Sequence, residues 1–138
     1  MARVRVTRRL HFSAAHRLGR EDWDPDRNAA VFGLCSNPNW HGHNYELDVT
    51  VAGPIDPDTG FVIDLKRLRE LVEAAVIVDV DHANLNLDVG WFRGVNPTTE
   101  NLVVAIWHRI AAVLPDSVAL ERLQLWETPR NHVEYTGE

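Results

Sequence analysis

Two runs of strict alternation, joined by a long irregular excursion, constrain this chain more than any other feature. From Arg3 to Ala14, Val4, Val6, Leu10 and Phe12 share one parity, and Arg3, Arg5, Thr7 and Arg9 largely occupy the other. From about His43 to Ala52, Tyr45, Leu47, Val49 and Val51 alternate with Asn44, Glu46, Asp48 and Thr50. A period of two is the mark of a strand with one buried and one wet face. If the two strands are antiparallel neighbours, the end of the first lies beside the start of the second. His16 closes the first run on the parity of Phe12 and Ala14, and His41-Gly42-His43 opens the second. Side chains at i and i+2 of a strand share a face, so His41 and His43 present their imidazoles side by side.

The rest of the chain supplies two helices and further strands. Residues 17–39 lose the pattern; Asp22, Asp24, Pro25, Asp26, Asn28, Pro38 and Asn39 mark an irregular loop with a short helical turn near Val31. Loops this long in a small domain are functional or disordered, and this one's ending at Cys35 favours function. Pro54, Asp56, Pro57, Asp58 and Gly60 form a tight turn into Phe61-Val62-Ile63, expected to pair with the second strand as a hairpin. Asp64 is placed to cap a helix to about Val78, with Leu65, Leu68, Leu71, Val72, Ala75 and Val76 as its apolar stripe. The stretch Asp79 to Asp88 is too polar for core. Pro97 and Thr98 start a second helix with Glu100 in its first turn, a stripe from Leu102 to Leu114, and Pro115 as its stop. Leu120 to Glu127 and His132 to Thr136 read as final strands. This order predicts one α+β domain over 1–138, an antiparallel sheet with two helices on one face. The more polar face then needs water or another subunit against it.

Composition narrows the function. A formal charge of −6 argues against a non-specific nucleic-acid binder, yet local arginines can still hold an anionic small substrate. No apolar run approaches a membrane span, and Met1-Ala2-Arg3-Val4-Arg5 lacks the apolar core of a signal peptide. A single cysteine cannot close an intrachain disulfide, so a cytoplasmic setting is expected.

Of seven histidines, His108, His132 and His11 read as surface or structural positions, whereas His16, His41 and His43 border the long loop at strand ends. Three neutral imidazoles would leave a tetrahedral zinc with one open position, the arrangement of catalytic sites. A bare His-x-His is also simply the polar start of a strand, and both readings stand at this point. Asp81-His82 is either a carboxylate orienting an imidazole as a proton relay or a helix-terminating loop bonded to backbone. Glu127 and Glu100 are caps, surface charges, or acceptors for the N–H edge of a guanidine-like heterocycle.

Together these residues resemble the 6-pyruvoyl-tetrahydropterin synthase family. The blocks are Phe12-Ser13-Ala14-Ala15-His16-Arg17-Leu18, Val31-Phe32-Gly33, Cys35 with Asn37-Pro38-Asn39, His41-Gly42-His43-Asn44-Tyr45, Ile55-Asp56-Pro57 and Thr59-Gly60. Asp81-His82, Asn84-Leu85, Leu87-Asp88-Val89, Thr98-Thr99-Glu100-Asn101 and Glu127-Thr128 continue them in order to the end of the chain. The resemblance implies the tunnelling fold, with three subunits closing a barrel and two trimers stacking as a homohexamer. It implies zinc on His16, His41 and His43, Cys35 as catalytic base, and Asp81 and His82 as the rest of the relay, contributed by a neighbouring subunit. Glu127 would anchor a pterin, with Thr98, Thr99 and Glu100 lining the same pocket. Magnesium is also associated with members of this type, though no separate ligand cluster for it stands out.

The implied reaction converts 7,8-dihydroneopterin triphosphate to 6-pyruvoyl-tetrahydropterin with loss of triphosphate. A sister branch makes 6-carboxy-tetrahydropterin and acetaldehyde, and there the cysteine usually lies closer to the His-Gly-His pair. Five residues separate Cys35 from His41 here, the pyruvoyl-type spacing, although Trp40 departs from the small residue often found before the first strand histidine. A zinc-bound assembly protein without catalysis would explain the histidines but leave Cys35, Asp81-His82 and Glu127 without a shared purpose.

Overall fold

Alternation is realised as two fourteen-residue strands, β1 (Arg3–His16) and β2 (His41–Pro54), paired antiparallel along their whole length. The computed structural model describes residues 2–138. Leu10, Phe12 and Ala14 of β1 and Tyr45, Leu47, Val49 and Val51 of β2 are buried on one sheet face. Helix α1 (Pro25–Phe32) lies in the excursion between them and runs into a 3-10 turn at Gly33–Ser36. It is longer than the expected helical turn, and its start is a local signal. Asp24 accepts from the Arg27 N–H, and proline stands at the head of the helix where no donor is lost.

The expected strand at Phe61-Val62-Ile63 does not form. Its loop closes on itself, with the Asp56 N–H donating to the Phe61 carbonyl and Gly60 N–H to the Asp56 carbonyl, each at 2.8 Å. The free edge of β2 pairs instead with β4 (Ala119–Thr128), and β4 with β5 (Asn131–Tyr135). The stretch from Asp79 to Asp88, expected to be too polar for core, contributes two core residues. Val80 and Leu85 are fully buried, and β3 (Ala83–Asn84) adds a short parallel pairing against Ala14 and Ala15. Val80 and Leu85 point inward among exposed Asp79, Asp81, His82, Leu87 and Asp88, so mean polarity misleads. Sheet order is β3-β1-β2-β4-β5. Apart from Ala14 and Ala15, the outer edge of β1 has no partner strand among the described residues.

Asp64 caps α2 (Leu65–Val72), accepting from the Lys66 N–H. The helix then widens into a π-turn (Glu73–Ile77) and ends as α3 (Val78–Val80), two residues beyond the expected end. A 3-10 turn at Gly90–Phe92 precedes α4 (Thr99–Ala111), which has Glu100 in its first turn as expected, while Thr98, expected inside the helix with Pro97, caps it instead. Both helical stretches pack Leu68, Val72, Val76, Leu102, Ile106 and Ile110 into one core with Phe12, Tyr45, Leu47, Leu123 and Leu125. No helix among the described residues is long and apolar enough to cross a membrane.

Candidate metal centre and cleft

The apolar sheet face becomes polar at one end, and the three histidines are that end. In register His16 stands opposite His41, and Ala14 opposite His43, so His43 approaches His16 diagonally. The parity that buries Phe12 and Tyr45 thereby aims three imidazoles at one point. Their ring centroids lie 4.5, 5.0 and 4.9 Å apart, and one nitrogen of each comes within 4.8 Å of the others. His16 is 1% exposed, and His41 and His43 are half-buried.

Backbone fixes the first ring. His16 Nδ1 lies 2.8 Å from the Pro97 carbonyl, which can only accept, so Nδ1 carries the proton and Nε2 is left with a lone pair. His16 Nε2, His41 Nδ1 and His43 Nε2 are buried without hydrogen-bond partners. Burial depresses the His16 pKa, outweighing the Pro97 bond, and burial likewise depresses that of His43 against the pull of Glu127. Neutral imidazoles with unpartnered buried nitrogens are what a metal ion requires and what a packed core avoids. The Tyr45 hydroxyl, 3.5 Å from His16 Nδ1, closes the inner side, and burial pushes its pKa well above the ordinary tyrosine value.

Glu127 adjoins this centre. One carboxylate oxygen is 3.6 Å from His43 Nε2, and the other accepts a short hydrogen bond from the Thr99 hydroxyl. A cleft of about 620 Å³ opens here, lined by His43, Asn44, Glu127, Trp126, Thr128 and Arg9 among others. Thr98 spends its hydroxyl on the Asn101 N–H as the α4 cap, and Glu100 is exposed one residue beyond Thr99. Cys35 is half-buried in its 3-10 turn, and its carbonyl accepts the Leu18 N–H at 2.8 Å, two residues past His16. Arg17 adds a second tie, donating to the Ser36 carbonyl at 3.1 Å. The loop carrying the cysteine is thus fastened to the strand end carrying the first histidine.

The Asp81–His82 pair stands elsewhere, on the open edge of the sheet. Asp81 accepts the Ser13 N–H at 2.9 Å, and its other oxygen lies 3.0 Å from His82 Nδ1. The Ser13 bond leads in holding the Asp81 carboxyl below its usual range. His82 takes a left-handed conformation (φ 59°) and is 84% exposed at its side chain, so its free nitrogen faces outward from its own chain. Trp40, immediately before His41, also has positive φ (67°). Positive φ is uncommon outside glycine, and rarer for tryptophan than for histidine. Pattern reading assigns Pro97 and Tyr45 no role at the site, while Arg9, a candidate there for the anionic end of a substrate, lines the cleft. Pro97 acts through a carbonyl, which no side-chain pattern reveals; Tyr45 was visible as the next inward residue after His43.

The profile of the family described as 6-pyruvoyl tetrahydropterin synthase matches residues 5–138. A human protein named 6-pyruvoyl tetrahydrobiopterin synthase is 46% identical over 135 residues, covering 98% of this chain and 92% of that one. A Pyrococcus furiosus protein named dihydroneopterin monophosphate aldolase is 36% identical over 125 residues, covering 91% and 90%. The structure of Caenorhabditis elegans 6-pyruvoyl tetrahydropterin synthase superposes with a TM-score of 0.92 at 36% identity, covering 100% of this chain and 98% of that one. With the matched profile running through every strand and both long helices, this chain belongs to the 6-pyruvoyl tetrahydropterin synthase family.

Proposed function

We propose that this protein is a zinc-dependent lyase converting 7,8-dihydroneopterin triphosphate to 6-pyruvoyl-tetrahydropterin with release of triphosphate, working as one domain in the cytoplasm. The observation that carries the reading is the convergence of three imidazoles, each with a buried nitrogen lacking a hydrogen-bond partner, beside a carboxylate in an open cleft. His16, His41 and His43 would hold the metal; three nitrogen donors suit zinc and leave a position for a ligand oxygen. Bound there, zinc supplies Lewis-acid polarisation of the substrate's side-chain hydroxyls, making the attached carbons more acidic.

The chain's own residues do the rest. Glu127, held by Thr99, offers two oxygens to the N–H edge of the pterin and fixes its orientation. Thr98 and Glu100, on either side of Thr99 at the start of α4, would line the pterin's end of the pocket. Cys35 as thiolate removes a side-chain proton, and His82, oriented by Asp81, takes and returns protons on the opposite side. Those transfers expel triphosphate, and oxidation of the side chain is matched by reduction of the ring, so no redox cofactor is consumed.

Because His82 faces away from its own core, the relay would be completed by a neighbouring subunit. Residues 3–12 of β1 offer an unpaired edge at one side of the sheet, and β5 offers another at the far side. Edges of this kind favour closure between copies, and a trimeric barrel stacked as a homohexamer would close both. Incubating the zinc-loaded protein with dihydroneopterin triphosphate tests the reading. The expected products are 6-pyruvoyl-tetrahydropterin and triphosphate; carboxy-tetrahydropterin with acetaldehyde as the dominant pair would overturn it.

A further inference from the structure

The helical stretch that leads into Asp81 has four fully buried residues at a strict spacing of four: Leu68, Val72, Val76 and Val80. A straight α-helix cannot keep such a row on one face. Each four-residue step overshoots a full turn by roughly 40°, so Val80 would stand roughly 120° from Leu68. The π-turn at Glu73–Ile77 takes up about one extra residue, which returns most of that drift and brings Val80 back to the core. Asp81 follows at once, its N–H bonded to the Ile77 carbonyl at 2.9 Å. The next contacts are those of the relay pair, with the Ser13 N–H on Asp81 and the His82 N–H on the Ser13 carbonyl at 2.6 Å. Rotation stored in the π-turn therefore sets where the Asp81 carboxylate and the His82 ring arrive.

A π-turn is held at a cost, since it sacrifices regular carbonyl pairing. Here one side chain from another helix covers it. Arg109 of α4 donates Nε to the Ala75 carbonyl inside the turn at 3.1 Å, and its Nη2 lies 3.5 Å from Asp79. The Trp91 indole N–H donates to the same Asp79 oxygen at 2.9 Å, and the Arg109 guanidinium lies 5.2 Å from the Trp91 ring. Carbonyl, carboxylate and indole thus meet one guanidinium, whose planar fork can serve separated acceptors as an ammonium cannot.

We propose that Arg109, with Asp79 and Trp91, is a clamp on the π-turn that positions the Asp81–His82 pair for proton transfer. The inference rests on the reading that this pair acts in the reaction. Arg109 touches neither metal ligand nor relay residue in the contacts described above, so it is a positioning residue.

The test uses the assembled, metal-loaded protein with Arg109→Ala and Arg109→Lys. Arg109→Ala is expected to keep metal stoichiometry and KM while lowering kcat roughly ten- to a hundredfold, the cost of misplacing an acid–base group. Amide exchange at Ser13 should accelerate roughly tenfold as the Asp81 bond opens more often, and the His82 Nδ1 nitrogen resonance should shift. Arg109→Lys should fall between Arg109→Ala and the parent. Unchanged Ser13 exchange and an unmoved His82 resonance in Arg109→Ala would overturn the clamp, whatever happens to the melting temperature. If Arg109→Ala does not fold, Asp79→Asn is read by the same two signals in the same direction. His82→Gln distinguishes the two levels: full turnover in it sinks the relay reading, while Ser13 exchange still decides the clamp.

Discussion

The ring of His16 is set by a backbone carbonyl before any metal arrives. Pro97 holds Nδ1–H, Tyr45 closes the inner side, and Nε2 is left to the open point between the three rings. His16→Ala should therefore leave purified protein with well under one metal per chain after dialysis, whereas Cys35→Ala should keep full metal and lose turnover. Cys35→Ala with parental turnover would remove the cysteine from its role. Removing metal with a chelator should lower the melting temperature, because a ligand at a hundredfold its Kd adds about 2.7 kcal/mol to the folded state. A second residue-scale effect belongs to acid. Arg9 pairs with Asp48 through two bonds of 2.7 and 2.9 Å and holds its carboxyl below the usual range. A depressed carboxylate contributes stability above its unfolded pKa, near 3.9, and loses it as pH falls through the lower folded value. Denaturant melts of Asp48→Asn should therefore be weaker than the parent's near neutrality and converge with them in strong acid. The histidines and the cysteine were legible because parity and spacing expose side chains. The Pro97 carbonyl and the positive φ of Trp40 and His82 were not, being properties of backbone.

At the scale of elements, what decided success was whether the signal was local. The cap at Asp64 and the strands β1 and β2 are written in neighbouring residues and formed where expected, although Asp48 and Thr50 on the polar parity of β2 are buried. The pairing of β2 with β4 is a contest between distant segments, and Phe61-Val62-Ile63 lost it to a longer strand with Leu123 and Leu125 to bury. The π-turn did leave a trace, a repeat of four rather than 3.6 in Leu68, Val72, Val76 and Val80, which a helical stripe drawn with tolerance absorbs unnoticed. Leu85 offers a direct check on the stretch between Asp79 and Asp88. Leu85→Ala should destabilise by about 2–5 kcal/mol in urea denaturation, the cost of a buried cavity. Leu87, 58% exposed two residues on, should change stability by no more than about 0.5 kcal/mol when replaced by alanine. Equal effects at the two positions would mean the segment is not docked as described.

For the whole molecule, the same sheet that brings three histidines together sends His82 outward. If the relay is shared between copies, two inactive variants can repair each other. Equal amounts of Cys35→Ala and His82→Gln, unfolded together and reassembled, should recover about a quarter of parental activity, since random mixing gives that share of sites both intact partners. Activity no greater than either variant alone would place all catalytic groups on one chain.

The bare edge of β1 also has a history in time. A newly made chain completes β1 and β2 long before β5 exists, and ten residues of ready-made backbone donors and acceptors then wait without cover. During that interval any extended strand will do as a companion, including one from an unfinished neighbour. Refolding yield should thus fall steeply with chain concentration at early times and become insensitive to it once the edge is occupied, making dilution in the first moments the variable that most determines recovery of soluble protein.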